Sequence, residues 1–130
     1  MFSHVFLGTQ DFTRARAFYE PLMALLGIPV RFVDEAKGWM GWQSEPGPRP
    51  LLLLGRPFDG QPHAAGNGQM VALQAATREQ VDAFHALALS LGARDEGAPG
   101  LRPHYHAHYY GTYVRDLDGN KLCVVCHQAA

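Results

Sequence analysis

Only two cysteines occur in 130 residues, too few for the disulfide framework of a small secreted domain, and a chain of this length buries enough surface to fold without one. Cys123 and Cys126 spell C-V-V-C, but the run from Lys121 to His127 is β-branched and reads as a strand. Residues three apart on a strand point to opposite faces and do not easily bridge, so free thiols in a reducing compartment are expected. An excess of charge of either sign is also lacking. The formal net charge is −1 with no basic cluster, which removes the footprint of a nucleic-acid binder and the long-range attraction for a strongly cationic ligand. No apolar run approaches the roughly 18 residues of a membrane span, and Met1 leads into a strand rather than a charged and then apolar signal segment. The expectation is a soluble cytoplasmic protein whose partner is a small-molecule ligand, with no nucleic acid and no membrane.

What is present is a partial repeat. Read against itself with an offset of 66 residues, the chain places His4-Val5-Phe6-Leu7 on Met70-Val71-Ala72-Leu73, Ala17-Phe18 on Ala83-Phe84 and Leu25 on Leu91. Two copies of one supersecondary unit, stacked to share a core, account for a repeat of about half the chain. In the first copy Phe2 to Leu7 is an apolar strand. Asp11 stands as N-cap before Phe12, Ala15, Phe18, Leu22 and Leu25 at helical spacing, Gly27 is a stop, and Pro21 predicts a kink or a restart. Val30 to Val33, Lys37 to Gln43 and Leu51 to Leu54 read as strands, the last behind the turn-rich Glu45-Pro46-Gly47-Pro48.

Gly55 to Gly68 has the glycine, proline and asparagine content of a surface connection. Gln69 to Ala75 is the next strand, and Thr77 with Gln80 has the form of a capping box. Val81, Phe84, Leu87, Ala88 and Leu91 form the buried stripe of the helix that follows, which ends at Gly92. A weak strand near Ala93 to Glu96 precedes a loop rich in glycine and proline. Tyr109 to Arg115 and Lys121 to His127 then pair about the hairpin signal Asp116-Leu117-Asp118-Gly119-Asn120. Each copy is β-α-β-β-β. The fold class is α+β in one domain, with module one at about residues 1–55, a connection at 55–68 and module two at about 69–130.

Four stretches together resemble the vicinal oxygen chelate superfamily, which contains glyoxalase I, bleomycin resistance proteins and extradiol dioxygenases. They are the opening strand with His4, Arg16-Ala17-Phe18-Tyr19, Asp82-Ala83-Phe84, and Val114 to Leu122. The last is the most specific, being similar to the family hairpin D-P-D-G-N-x-I-E with Leu117 in place of Pro and Cys123 in place of Glu. The resemblance spans nearly the whole chain. It implies two β-α-β-β-β modules forming a curled mixed sheet around a central cup, with the helices outside, and exposed sheet edges make a homodimer the default expectation. It also implies a divalent ion held by His and Glu from the first and last strands of the modules, acting as a Lewis acid with positions open for vicinal oxygens. His4 takes one such position and is the metal-ligand candidate. Its counterpart is Met70, a poor ligand for a hard ion. Leu51 to Leu54 offers no donor, and Cys123 replaces the expected Glu, so a divalent metal is disfavoured and no cofactor is assigned.

His104-Tyr105-His106-Ala107-His108 is the densest group of metal-capable side chains. Extended, it puts three imidazoles on one face, suited to Zn, Ni or Cu; as a loop it is a solvated or pocket-rim segment. The catalytic candidates are His4, Cys123 and His106, the last as an acid or base near neutral pH. Each has a structural alternative: a backbone-bonded histidine for His4, a small core filler for Cys123, a solvated loop for His106. His63 in the connection is expected on the surface. Trp42, Met70, Tyr109 and Tyr113 are the candidates for substrate binding. Trp39 and Trp42 face opposite ways on an ideal strand, so at most one lines a pocket. Three functions remain open. They are an enzyme of the superfamily with a degenerate metal site, acting on a small oxygen-rich substrate by proton transfer; a metal-free small-molecule binding or sequestering protein; and a metal-dependent lyase of the lactoylglutathione lyase type or a dioxygenase.

Overall fold

Asp11 and Thr77 start the two helices as the sequence predicts. The Asp11 carboxylate accepts from the Arg14 N–H at 3.1 Å, and Thr77 forms a complete capping box with Gln80, each satisfying donors that the first helical turn leaves open. The computed structural model describes residues 1–44 and 47–130; Glu45 and Pro46, half of the turn expected before the fourth strand, lie outside the described residues. The elements are β1 (His4–Gly8), α1 (Phe12–Leu25), β2 (Val30–Asp34), β3 (Trp39–Gln43), β4 (Leu51–Gly55), β5 (Val71–Gln74), α2 (Arg78–Ser90), β6 (Arg94–Leu101), β7 (Tyr110–Arg115) and β8 (Lys121–Cys126). They divide into two units, residues 1–65 and 66–130.

The units have the same topology. Unit 1 is a four-stranded sheet in the order β1-β4-β3-β2, and unit 2 a four-stranded sheet in the order β5-β8-β7-β6. In each, the first strand runs parallel to the last and the other neighbours are antiparallel. The α+β class and the paired β-α-β-β-β modules are as expected. Alternation along the strands then sorts each sheet into a face under the helix and a face away from it. In unit 1, Leu7, Met40, Trp42 and Leu54 share the first face and are buried together with Phe18 and Leu22 of α1. In unit 2, Val114, Leu122 and Val124 are buried with Val81 and Phe84 of α2.

Two local expectations are corrected. Helix α1 runs through Pro21 without interruption. The residue is exposed, so water can serve the carbonyl one turn earlier that the proline leaves without a donor. The weak strand near Ala93 to Glu96 is in fact the eight-residue β6. Its register shifts between Asp95 and Gly97 and again between Gly97 and Gly100, and such irregular pairing erases the period-two pattern by which a strand is recognised in sequence. The β7–β8 hairpin is held as its sequence suggests. Asp116 is buried, and its carboxylate accepts from the Asp118 N–H at 2.9 Å, the Asn120 N–H at 2.8 Å and the Asn120 amide at 2.9 Å.

Candidate functional site

The face of the unit 2 sheet turned away from α2 carries Lys121 and Cys123 of β8 and Gly111, Tyr113 and Arg115 of β7. Cys123 lies opposite Tyr113 in the β7–β8 register. Tyr109, just before β7, folds back over Gly111, where a Cβ would stand 2.9 Å from the tyrosine ring; only glycine lets the ring lie that close. Its hydroxyl comes within 3.0 Å of the Tyr113 hydroxyl and 3.4 Å of the Cys123 sulfur. Burial pushes the Tyr109 phenol far above its ordinary range, and the bonds to Cys123 and Tyr113 push the same way. Burial also raises Tyr113 and Cys123. All three groups therefore hold their protons at neutral pH, and two of those protons are used in the hydrogen bonds among them.

At neutral pH Cys123 is therefore a protonated thiol rather than a thiolate. Its side chain is 0% exposed, and the bonds from Tyr109 and Tyr113, with the charges of Arg102 and Lys121 behind them, only partly oppose the effect of burial. Cys126 lies on the opposite face, its sulfur 3.6 Å from the Ala76 carbonyl, and both cysteines are free and buried. Neither thiol of the folded protein is expected to react with DTNB at pH 7.5, whereas both should titrate in guanidinium. Rapid release of one equivalent of colour from the native protein would contradict the assignment.

Beside the Tyr113 ring lies a concavity of about 270 Å³ lined by Glu96, Arg102, His104, Tyr105, Tyr113 and Lys121. The Arg102 guanidinium donates to the Ala98 carbonyl at 2.8 Å and stands 5.6 Å from the centre of the Tyr113 ring; the Lys121 ammonium is also 5.6 Å from it. Gly97 and Gly100 give Arg102 its place, since a Cβ on either would come 3.3 or 3.1 Å from the guanidinium. Glu96 is taken by Arg115 at 2.8 Å and Arg94 at 3.3 Å, and the Arg115 bond holds its carboxyl below the usual range. Among the described residues, no carboxylate pairs with Arg102 or Lys121.

The histidine segment does not extend. Residues 102–108 turn rather than form a strand, in line with the loop reading, so the three imidazoles do not share the face an extended strand would give them. His106 instead meets His127, its Nε2 2.8 Å from Nδ1 of His127, while its Nδ1 accepts from the His108 N–H at 3.1 Å. That second bond requires an unprotonated Nδ1, so in the neutral pair His106 carries its hydrogen on Nε2 and donates it to His127. His104, rather than His106, lines the concavity.

The remaining candidates are dispersed. Trp42 is 1% exposed and packs 6.1 Å from Tyr19 of α1, and what remains of its surface borders a shallow concavity with Glu20, Ala24, Gly27, Ile28, Pro29 and Val30, so both tryptophans border a pocket, on opposite faces, where at most one was expected to. Trp39 takes the other face, 4.8 Å from Phe32, beside a concavity in unit 1 lined by Phe6, Lys37, Trp39, Arg56, Pro57 and Phe58. His4 is exposed at the start of β1, with Nδ1 2.9 Å from the Ser3 hydroxyl. His63 lies over Gly8, where a Cβ would come 2.4 Å from its ring. Met70 stands just before β5 and is 45% exposed. Among the described residues, no three His, Cys, Asp or Glu side chains gather closely enough to hold a metal ion. Reading the sequence missed Arg102, Lys121 and Glu96; the available signal was the pair of glycines at 97 and 100 ahead of an arginine.

The family profile of the Glyoxalase/Bleomycin resistance protein/Dioxygenase superfamily matches residues 1–124. The chain belongs to this superfamily. A crystal structure of a glyoxalase/bleomycin resistance protein from Albidiferax ferrireducens is 35% identical, covers 97% of this chain and 98% of its own, and superposes with a TM-score of 0.86. Lactoylglutathione lyase from Agrobacterium tumefaciens is 21% identical over 97% of this chain and 92% of its own, with a TM-score of 0.63, a likeness of fold alone. A putative glyoxalase from Bacillus halodurans, 18% identical over 97% of this chain and 95% of its own, has a TM-score of 0.71. No curated protein matches the sequence. Superfamily membership assigns the scaffold, and chemistry must be argued from side chains.

Proposed function

We propose that this superfamily member binds a small oxygen-rich molecule on the open face of unit 2 and does so without the divalent ion of its metal-dependent relatives. The observation that carries this reading is the chemistry of the lining. Arg102 and Lys121 in the lining can only donate, Tyr105 and Tyr113 bring hydroxyls and rings, and the lining's carboxylate, Glu96, is engaged by Arg94 and Arg115. A site lined by donors over aromatic carbon suits a ligand rich in acceptors, and its volume lies just below the range of about 300–1,000 Å³ typical of drug-sized ligands.

The donor set does not fit the family's ion. Cys123 stands where the family carries Glu, and it is a buried, protonated thiol bonded to Tyr109. Met70 brings a thioether, and β4 brings Leu51 to Leu54. A hard divalent cation prefers carboxylate and imidazole to any of these.

A ligand-observed NMR screen of small keto, enol and carboxylic acids tests the reading. Hits are expected to bind equally well with and without EDTA, and to weaken roughly 5- to 10-fold with Tyr113→Phe, the loss of one hydrogen bond. Hits that vanish with EDTA would overturn metal-free binding. His104 favours a second reading, proton transfer on the bound molecule, because its imidazole lines the same concavity and such a ring accepts and returns a proton near neutral pH. Exchange of a ligand C–H for deuterium that is lost with His104→Ala, while binding persists, is the result this reading requires.

A further inference from the structure

We propose that the ligand is an aromatic carboxylate, its carboxylate held between Arg102 and Lys121 and its ring laid against Tyr105 and His104. The inference rests on the reading of the unit 2 concavity as a ligand site and adds the charge and shape of what fills it.

Charge comes first. Two cations stand at one tyrosine ring, each 5.6 Å from its centre, and among the described residues neither has a carboxylate partner. The ring's negative face attracts both, and because both line the same concavity an anion entering it is attracted by each. The one carboxylate in the lining, Glu96, is already taken by two other arginines, Arg94 and Arg115. Arg102 is also positioned in advance. Its Nη2 is fixed on the Ala98 carbonyl in space that Gly97 and Gly100 leave open, so little freedom is lost when a bound anion takes its remaining N–H groups. A planar fork of N–H donors matches a carboxylate in shape, and Lys121 adds a point charge.

Shape comes next. Tyr105 is 60% exposed although it is one of the largest side chains at the rim. It is held in place by His104 at 4.3 Å and Tyr109 at 4.8 Å. A wall of conjugated rings beside two cations favours a flat partner that stacks while its anionic end reaches the charges. The concavity of about 270 Å³ is sized for a single ring with its carboxylate.

Four probes separate the parts of the claim: benzoate, its neutral isostere benzamide, cyclohexanecarboxylate and inorganic phosphate, each titrated into the intact protein and followed by the aromatic side-chain resonances. Benzoate is expected to bind and to shift Tyr105 and Tyr113, with benzamide roughly 10- to 100-fold weaker, as the loss of charge-assisted hydrogen bonds demands. Arg102→Met and Lys121→Met should each weaken benzoate by about tenfold or more and leave benzamide unchanged. Having two variants guards against one of them perturbing the fold of β6. Benzamide binding as tightly as benzoate would overturn the anionic part. Cyclohexanecarboxylate or phosphate binding as tightly would overturn the aromatic part. If no probe binds while the oxygen-rich screen gives hits that depend on Tyr113, this inference falls and the broader reading of the site stands; if that screen also fails, both fall.

Discussion

Trp42→Ala is expected to destabilise the protein by about 3–5 kcal/mol, the range for truncating a fully packed large aromatic, and to lower the thermal midpoint by roughly 10–20 °C for a chain of this size. Trp42 is 1% exposed, beneath α1 with Tyr19, Met40 and Leu54 around it in the buried layer of unit 1. Deleting the indole removes both its burial and the contacts of its neighbours, because a packed layer closes only partly over the hole. Trp39→Ala is the control. It lies on the other face of the same strand and is only partly buried, so its loss should be clearly the smaller of the two. Equal losses in urea titrations of the two variants would contradict the assignment of faces.

Stability should also fall steeply on the alkaline side. Cys123, Tyr109 and Tyr113 all hold their protons more tightly in the folded protein than a free thiol or phenol does. In the unfolded chain they ionise near pH 8.5 for the thiol and about 10 for the phenols. Below these values both states are protonated and the contribution to stability is complete. Above them the unfolded chain releases protons that the folded protein retains, so unfolding gains with every step upward until the raised folded values are reached. The slope is at most about 1.4 kcal/mol per pH unit for each group, and less for the phenols because they are partly open to water. Denaturant titrations between pH 7 and 10.5 should show a plateau and then a decline starting with the thiol. Cys123→Ala should remove the early part of that decline, and Tyr109→Phe should affect mainly its upper end, near pH 10 and above. Stability independent of pH across this range would contradict the buried donor cluster.

The fold was largely legible in the sequence because its determinants are short-range. Asp11 and the Thr77–Gln80 pair cap helices through residues three or four positions away, and Asp116 folds its own turn. The 66-residue repeat carried the rest, since strand and helix periods survive in both copies. Legibility failed where the pattern was irregular. Strand β6 shifts register twice within eight residues, and Pro21, expected to kink or restart the helix, sits at an exposed position where the helix continues through it. The site was much less legible. Tyr109 and Tyr113 do lie on the open face of unit 2, but Trp42 went into the core and His106 went to His127. Arg102 and Lys121 were not singled out, because two glycines ahead of an arginine are a weak local mark and nothing near Lys121 in sequence shows that it faces Tyr113.

The sequence by itself determined the α+β class, the two modules, the helix starts, the β7–β8 turn and the free thiols on opposite strand faces. Each of these follows from residues a few positions apart and from backbone periodicity. Tertiary structure alone decided which side chains share a space: Tyr109 over Gly111, Arg102 in the room left by Gly97 and Gly100, Cys123 opposite Tyr113. Those contacts depend on the register between strands and on the absence of single Cβ atoms at particular glycines. The same packing made Cys123 a fully buried thiol bonded to Tyr109.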